Sequence, residues 1–438
     1  MTRTPRPSRL ARTAVTSSAV SLLLLTTACG GGGSDKAGGE GDGKPVTITY
    51  WSATTGAKET VDAFNKTHHD VKVKFSLVPS GPDGVTKLTN AVKAGNAPDV
   101  TTMDYSELPE FAGQGNLQDL SGAAGAFVKA KFPDNMQSLV NLGGKTWAVP
   151  FDVTPLELFY RKDLFKKFGV AVPTTWAEYR KAAEKIHKAD PSVRITNFGG
   201  GDPALLAGLA WQAGAHWYSI SGDAWKVDID DAASRKVAAY WDGLLKDDLA
   251  SKTPLWSKDE TSERANGKVA TVIGAAWSAS GFPTNYPALK GKWGIAPLPT
   301  WDGRAATGMY GGTSYVVPKG SAHRDADVEF IKWVTTDPAA MRARLSSQKL
   351  PSSALPANRQ MQAVAEKAYD GSYFPGQDVY KLAENAAATI VPGWTWGPVH
   401  QQVNSAQNAT GADHTKSLTV GQATAEKSIE ARGMNLAK

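Results

Sequence analysis

The side chains best placed to do chemistry in this chain are carboxylates and indoles at the ends of sequence elements. Trp51 closes the run Val46-Thr-Ile-Thr-Tyr50, and Asp104 and Tyr105 follow Asp99-Val-Thr-Thr-Met103. Both runs read as strands, and open α/β sheets leave ligand-facing positions at strand C-termini. Tyr105 reads equally as a loop residue in solvent, while Asp99 reads as a structural carboxylate that caps nearby backbone. Trp394 and Trp396 alternate within Pro392-Gly-Trp-Thr-Trp-Gly-Pro398, a braced loop ill-suited to a core strand, although one of the two rings can serve structure. Asp202 precedes Pro203 and a Gly/Ala/Leu-rich stretch, the place of a helix N-cap. Gly311 and Gly312 either let a ligand approach the backbone closely or serve a turn. Carboxylates accept hydrogen bonds and ring faces pack against C–H surface, so this set does non-covalent work.

Reactive motifs are missing. The sequence has no HExxH, no GxxxxGK[ST] loop and no cysteine–histidine metal spacing. Ala276-Trp-Ser-Ala-Ser280 lacks the glycines of a nucleophile elbow, and Gly199-Gly-Gly201 lacks the spacing of a dinucleotide loop. The residues therefore imply no cofactor, no metal and no catalytic group. A carboxylate pair for glycoside hydrolysis leaves no local signature, because its members come from distant segments.

The one cysteine in 438 residues is Cys29. Ahead of it stand Arg3, Arg6, Arg9 and Arg12 with no acid, then the apolar run Ala19-Val-Ser-Leu-Leu-Leu-Leu25. These are the parts of a secretory signal, residues 1–28, too short to span a bilayer, which takes roughly 20 apolar residues. A cysteine at the first mature position resembles a bacterial lipoprotein signal, in which the thiol is acylated. Thr26 stands where that pattern usually has Leu, with Leu25 one residue away. Residues 29–45 read as a tether, since eight of the fourteen positions from Gly30 to Gly43 are Gly. Removing residues 1–28 lowers the formal charge from +6 to +2, which leaves a mixed surface and no case for nucleic acid as a partner.

The elements that must position the candidate residues alternate between strands and helices. Val71, Val73, Phe75 and Leu77 fall on one face of a second strand, and Val61 and Phe64 mark a helix between the two, so the mature chain opens β-α-β. This implies a mostly parallel sheet covered on both faces. Thr175 and Glu178 form a capping box, and a further helix covers Ala326 to Val334 before Asp337-Pro338. Val269-Ala-Thr-Val-Ile273 reads as a buried strand. Fourteen tryptophans are more than a core of this size needs.

Five segments, in this order, resemble the extracellular solute-binding proteins of ABC importers, in the branch that carries sugars and oligosaccharides. They are Ala94-Gly-Asn-Ala-Pro-Asp-Val100 with Leu117-Gln-Asp-Leu120; Gly144-Lys-Thr-Trp-Ala-Val-Pro150 with Leu158-Phe-Tyr-Arg-Lys-Asp-Leu-Phe165; Pro173-Thr-Thr-Trp176; Asn266-Gly-Lys-Val-Ala270 with Gly274-Ala-Ala-Trp277; and Gly311-Gly-Thr-Ser314 with Val317-Pro-Lys319. The resemblance implies an α/β, two-lobed periplasmic-binding-protein-like fold of type II with discontinuous lobes. One lobe would hold residues 46–150 and 300–348, the other 154–298 and 353–438. Hinge strands would pass near Phe151-Asp-Val153, Leu298-Pro-Thr300 and Lys349-Leu-Pro351.

The same resemblance makes Trp277 a stacking ring and Trp394 with Trp396 an aromatic platform. It places Asp152 and Thr154 at the hinge facing the cleft, and Asp202 as an acid toward ligand. A core role is the alternative for Trp277. The implied function is a monomeric, lipid-anchored, extracytoplasmic sugar receptor that delivers its ligand to ABC permease subunits, held to membrane lipid through acylated Cys29. Three rival readings are the same fold with a non-sugar cargo, a secreted carbohydrate-active enzyme, and a sensor that passes its closed state to a membrane receptor.

Overall fold

A computed structural model describes residues 45–347 and 352–437. Cys29, the signal and tether, and the expected crossing at Lys349–Pro351 lie outside the described residues.

The first sheet has five strands in the order Val71–Leu77, Val46–Ser52, Val100–Asp104, Thr313–Val316, Val149–Pro150. Val46–Ser52 runs parallel to both neighbours, in the register Val46 opposite Val71 and Tyr50 opposite Val100. Helix Ala57–Thr67 makes the crossover, and its Val61 and Phe64 are buried, as the β-α-β reading expects. Asp99 is structural: its Oδ2 accepts from the Thr49 amide at 2.7 Å and its Oδ1 from the Ser321 hydroxyl at 2.9 Å. Thr313–Val316 is antiparallel, pairing Thr313 with Asp104, and so brings a late segment of the chain to the end of an early strand.

The second sheet corrects the expectation of a mostly parallel arrangement. Leu156–Arg161 lies between Thr271–Ala275 and Trp293–Pro297, antiparallel to both. Apolar patterning marks which residues are buried, but strand direction is set by the connections between strands. Helix Trp176–Ala189 starts at the expected capping box, in which the Thr175 side chain accepts from the Glu178 amide. The Asp337-Pro338 stop ends helix Arg324–Thr336 and also begins Pro338–Leu345, with Asp337 as its N-cap.

Two further connections join these groups. Asp152–Val153 pairs antiparallel with Leu355–Pro356. The segment Thr300 to Tyr310, placed with the first sheet in the sequence reading, instead bonds to elements around the second: Thr300 N to Thr174 O, Thr307 N to Thr389 O and Tyr310 N to Thr154 O, each at 3.0 Å. The chain reaches the first sheet only after Gly311 and Gly312. Among the described residues no helix is long and apolar enough to cross a membrane.

Candidate functional site

The stretch Tyr310 to Thr313 is the spine on which most of the candidate residues meet. On one side, Trp277 follows the strand Thr271–Ala275 and donates its indole N–H to Tyr310 O at 3.0 Å. Its ring lies 5.4 Å from that of Tyr310 and 5.8 Å from that of Trp256, the latter at an interplanar angle of 26°. Asp202 ties the group together. Its Oδ1 accepts from Ala204 N at 3.0 Å as the N-cap of helix Pro203–Gln212, and its Oδ2 accepts from Tyr310 OH at 2.7 Å and from Trp256 Nε1 at 2.9 Å. The cap of this helix is therefore also the carboxylate that holds the two aromatic side chains.

The glycines before Asp202 explain how it reaches Trp256. A Cβ on Gly199 would lie 2.0 Å from Lys252 O, so only glycine lets this loop press against the Lys252–Leu255 segment. Leu255 N then donates to Gly200 O at 2.9 Å, which fixes Trp256 one residue on. Trp256 has a φ of 65° and is 61% exposed, an open ring in a backbone conformation that side chains rarely adopt.

On the other side of the spine, Asp104 ends the strand Val100–Asp104, with Thr313 Oγ1 3.4 Å from its Oδ1. Burial raises the Asp104 carboxyl to about 6; the Thr313 hydroxyl pulls it back down and the charge of Asp202 adds to the rise. Glu107, one turn later, is raised well above the usual carboxylate range by burial and by the charges of Asp104 and Glu110. Among the described residues, neither Asp104, Glu107 nor Asp202 enters a salt bridge.

Three expected residues, Tyr105, Asp152 and Thr154, lie buried beneath this spine. Tyr105 is 1% exposed and its hydroxyl donates to Asp152 O at 3.0 Å, which corrects the solvent reading. Asp152 is buried, accepts from Thr313 N at 2.7 Å, and is raised to about 7 mainly by burial. Thr154 is fully buried; its carbonyl holds Tyr310 N. Gly312, with φ 104°, is the reason these can pack so closely. A Cβ there would lie 2.9 Å from the Tyr105 ring and 3.0 Å from Thr154 Oγ1. Gly311, φ 72°, turns the chain beside Trp277.

The tryptophan loop packs inward. Trp394 is buried, stacked on Trp211 at 5.0 Å and 6°, with Trp396 edge-on at 5.2 Å and likewise buried. Both rings pack in the hydrophobic core. Trp51 is half-buried, and Lys87 Nζ sits 4.7 Å above its ring. A separate groove of about 750 Å³, lined by Glu59, Lys66, His68 and Trp333, holds none of the expected residues.

Sequence reading missed Trp256, Tyr310 and Glu107. Tyr310 directly precedes the Gly311-Gly312 pair, a signal that was available. Trp256 had none, because its exposure is visible only once the fold is known.

Residues 50–341 match the family model of the bacterial extracellular solute-binding protein. The chain belongs to this family. Among solved structures, the galacto-N-biose/lacto-N-biose I-binding protein of an ABC transporter from Bifidobacterium longum, in complex with lacto-N-biose, is 29% identical. It covers 91% of this chain and 100% of that one with a TM-score of 0.80. A binding protein from B. animalis subsp. lactis in complex with beta-1,6-galactobiose is 24% identical over 90% and 100% of the two chains, with a TM-score of 0.78. The arabinooligosaccharide-binding protein of Bacillus subtilis (strain 168) is 27% identical over 62% of this chain; the match spans 64% of that protein, just under two thirds. As a solute-binding protein with these neighbours, the chain has the two-lobed, periplasmic-binding-protein-like α/β fold. Its family places it outside the cytoplasm.

Proposed function

We propose that this solute-binding protein captures a sugar or oligosaccharide between its lobes and delivers it to an ABC permease. The observation that carries the proposal is the Trp277–Trp256–Tyr310 cluster bound to Asp202 and facing Asp104 across Gly311 and Gly312. A sugar offers hydroxyls that need hydrogen-bond acceptors and a C–H face that packs on rings, and this cluster supplies both. Relatives whose names or structures specify lacto-N-biose, beta-1,6-galactobiose and arabino-oligosaccharides support the ligand class.

The mechanism is differential binding. Open and closed forms interconvert, and a ligand that touches both lobes stabilises closure by the difference of its affinities for the two forms. The closed form docks on the permease, which with its ATPase supplies the energy of transport. The protein acts as a monomer, without catalysis or cofactor, and acylated Cys29 keeps it at the membrane.

A thermal-shift screen of residues 30–438 against a panel of sugars tests the reading. A binder raises the melting temperature by mass action. A shift with an amino acid, peptide or metal and with no sugar would overturn the ligand class. Release of a sugar product that stops with Asp104→Asn or Asp202→Asn would favour a carbohydrate-active enzyme instead.

A further inference from the structure

We infer that Tyr310 is a positioning residue that couples the grip of Trp256 and Trp277 on a sugar to closure of the two lobes. The role rests on the sugar reading above and names the residue through which ring contact moves the chain. Tyr310 is 4% exposed, so it offers a ligand almost nothing itself. Each of its polar groups is instead bonded to a different segment. Its amide donates to Thr154 O at 3.0 Å, its carbonyl accepts from Trp277 Nε1 at 3.0 Å, and its hydroxyl donates to Asp202 Oδ2 at 2.7 Å. Trp256 joins through the same carboxylate oxygen at 2.9 Å, and its own amide donates to Glu260 Oε2 at 2.7 Å. Hydrogen bonds to a carboxylate are about twice as strong as those between neutral groups, so a displacement of the Trp256 ring reaches Tyr310 with little slack.

The next three residues decide where that displacement goes. Thr313 pairs with Asp104 in the first sheet; its amide donates to Asp152 Oδ1 at 2.7 Å and its carbonyl accepts from Phe151 N at 3.0 Å. Gly312 is held as well, since its carbonyl accepts from Tyr105 N at 3.0 Å. Gly311 therefore stands between two anchored groups, at a φ of 72° that glycine adopts without steric cost. A Cβ on Gly311 would meet only Trp277 Nε1, at 3.7 Å, an ordinary contact. Backbone freedom, and not lack of space, is what glycine supplies at this position. Domain closure loads its dihedral change onto a few residues at element ends, and these anchors leave Gly311 to take it up. The Tyr310 hydroxyl is the part of the link that a substitution can remove while the ring still fills its place.

The test is Tyr310→Phe in the whole protein. Lacto-N-biose and beta-1,6-galactobiose, the sugars bound in the two similar structures, are the probes, or whichever sugar of the panel above binds instead. Calorimetry gives the affinity, and small-angle X-ray scattering gives the contraction at saturating sugar. The wild type should contract on binding. Tyr310→Phe should bind about ten-fold more weakly, the lower end of what one hydrogen bond to a charged group is worth, and should contract less even with every site filled. Asp202→Asn supplies a second variant: adding Tyr310→Phe to it should weaken binding no further, because the two side chains form one link. A role confined to stability would lower the melting temperature of Tyr310→Phe and leave its affinity and contraction as in the wild type. That result, or a wild type that binds sugar without contracting, overturns the inference and leaves the sugar reading standing. A wild type that binds none of the sugars removes the sugar reading and this inference together.

Discussion

Glu110 and Arg432, 322 positions apart in the chain, form an ion pair with a buried carboxylate: Arg432 Nη2 lies 2.7 Å from Glu110 Oε1, and the carboxylate is 1% exposed. Its second oxygen accepts from Gln401 N at 2.9 Å, in the first turn of helix His400–Asn408. An acid at a helix N-terminus meets both unpaired amides and the positive end of the dipole. Arg432 also donates to Pro398 O at 2.8 Å, at the exit of the tryptophan loop. One carboxylate from the short helix Leu108–Gly113 thus organises a corner made of late-sequence elements.

Removing either partner should cost stability unequally. Arg432→Met strands a buried carboxylate and frees Pro398 O, for a loss of about 3 kcal/mol. Glu110→Gln keeps the shape and can still accept from Gln401 N, so its cost should be nearer to about 1–2 kcal/mol, because Arg432 is partly exposed and regains water. Urea denaturation gives both values. Wild-type midpoints for the two variants would show that the pair contributes nothing.

The two kinds of tryptophan should separate in the same way. Trp394→Ala empties a buried site stacked on Trp211 and should destabilise by about 3–5 kcal/mol. Trp277 is half-buried, so Trp277→Ala should cost far less stability and should weaken sugar binding at least about ten-fold by removing the stacking ring. Calorimetry and thermal melting on each variant distinguish them. Loss of binding in Trp394→Ala with intact stability would restore that loop as a ligand platform.

How much of this was legible beforehand depends on the range of the forces involved. Helix starts such as Thr175–Glu178 and Asp202 are local, because the capping side chain and its amide are two or three residues apart. The structural role of Asp99 and the buried Val71 and Val73 were legible as well, whereas Leu77, expected on the same face, is 73% exposed at the end of this edge strand. Long-range packing could not be read. The Trp394-Thr-Trp396 loop looks solvent-facing by its glycines and prolines, yet Trp211 receives its ring from another helix. Tyr105 sits at a strand end suited to a ligand, but its hydroxyl turns inward to Asp152 O, in the segment that pairs with Leu355–Pro356. The site's acids were found one at a time; that Asp104 and Asp202 sense each other required the fold.

Stability should rise as the pH is lowered from about 8.5 to about 6.5. Burial raises Glu157 to about 8, Asp152 to about 7 and Asp104 to about 6, all above the values they take in the unfolded chain. Folding then favours the protonated forms: their contribution is complete below the unfolded values near 4 and is lost as the pH climbs through 6, 7 and 8. His400 works in the other direction, held down to about 4 by burial, and takes stability away as the pH falls below its ordinary 6.5. Each proton taken up on folding is worth about 1.4 kcal/mol per pH unit. Glu157 has a carboxylate oxygen with no partner on the buried strand Leu156–Arg161, so Glu157→Gln should raise the melting temperature at pH about 8.5 and flatten its pH dependence. A melting temperature that falls steadily from pH 8.5 to 6.5 in the wild type would refute the assignment.

Cys29 allows the membrane anchor to be tested without ambiguity, because no other residue can carry a thiol-linked lipid. A single acyl chain gives only marginal binding, and stable anchoring takes two signals, which a diacylglycerol on the thiol would supply. Cells fed an alkyne-bearing palmitate should label the wild-type protein and leave Cys29→Ser unlabelled, and the wild type alone should partition into detergent. Sugar affinity should be the same for both forms, since the candidate site is built wholly from residues beyond Pro45. Label retained by Cys29→Ser would mean that the lipid, if any, is attached elsewhere, and the run of glycines after Cys29 would then have to serve something other than a tether.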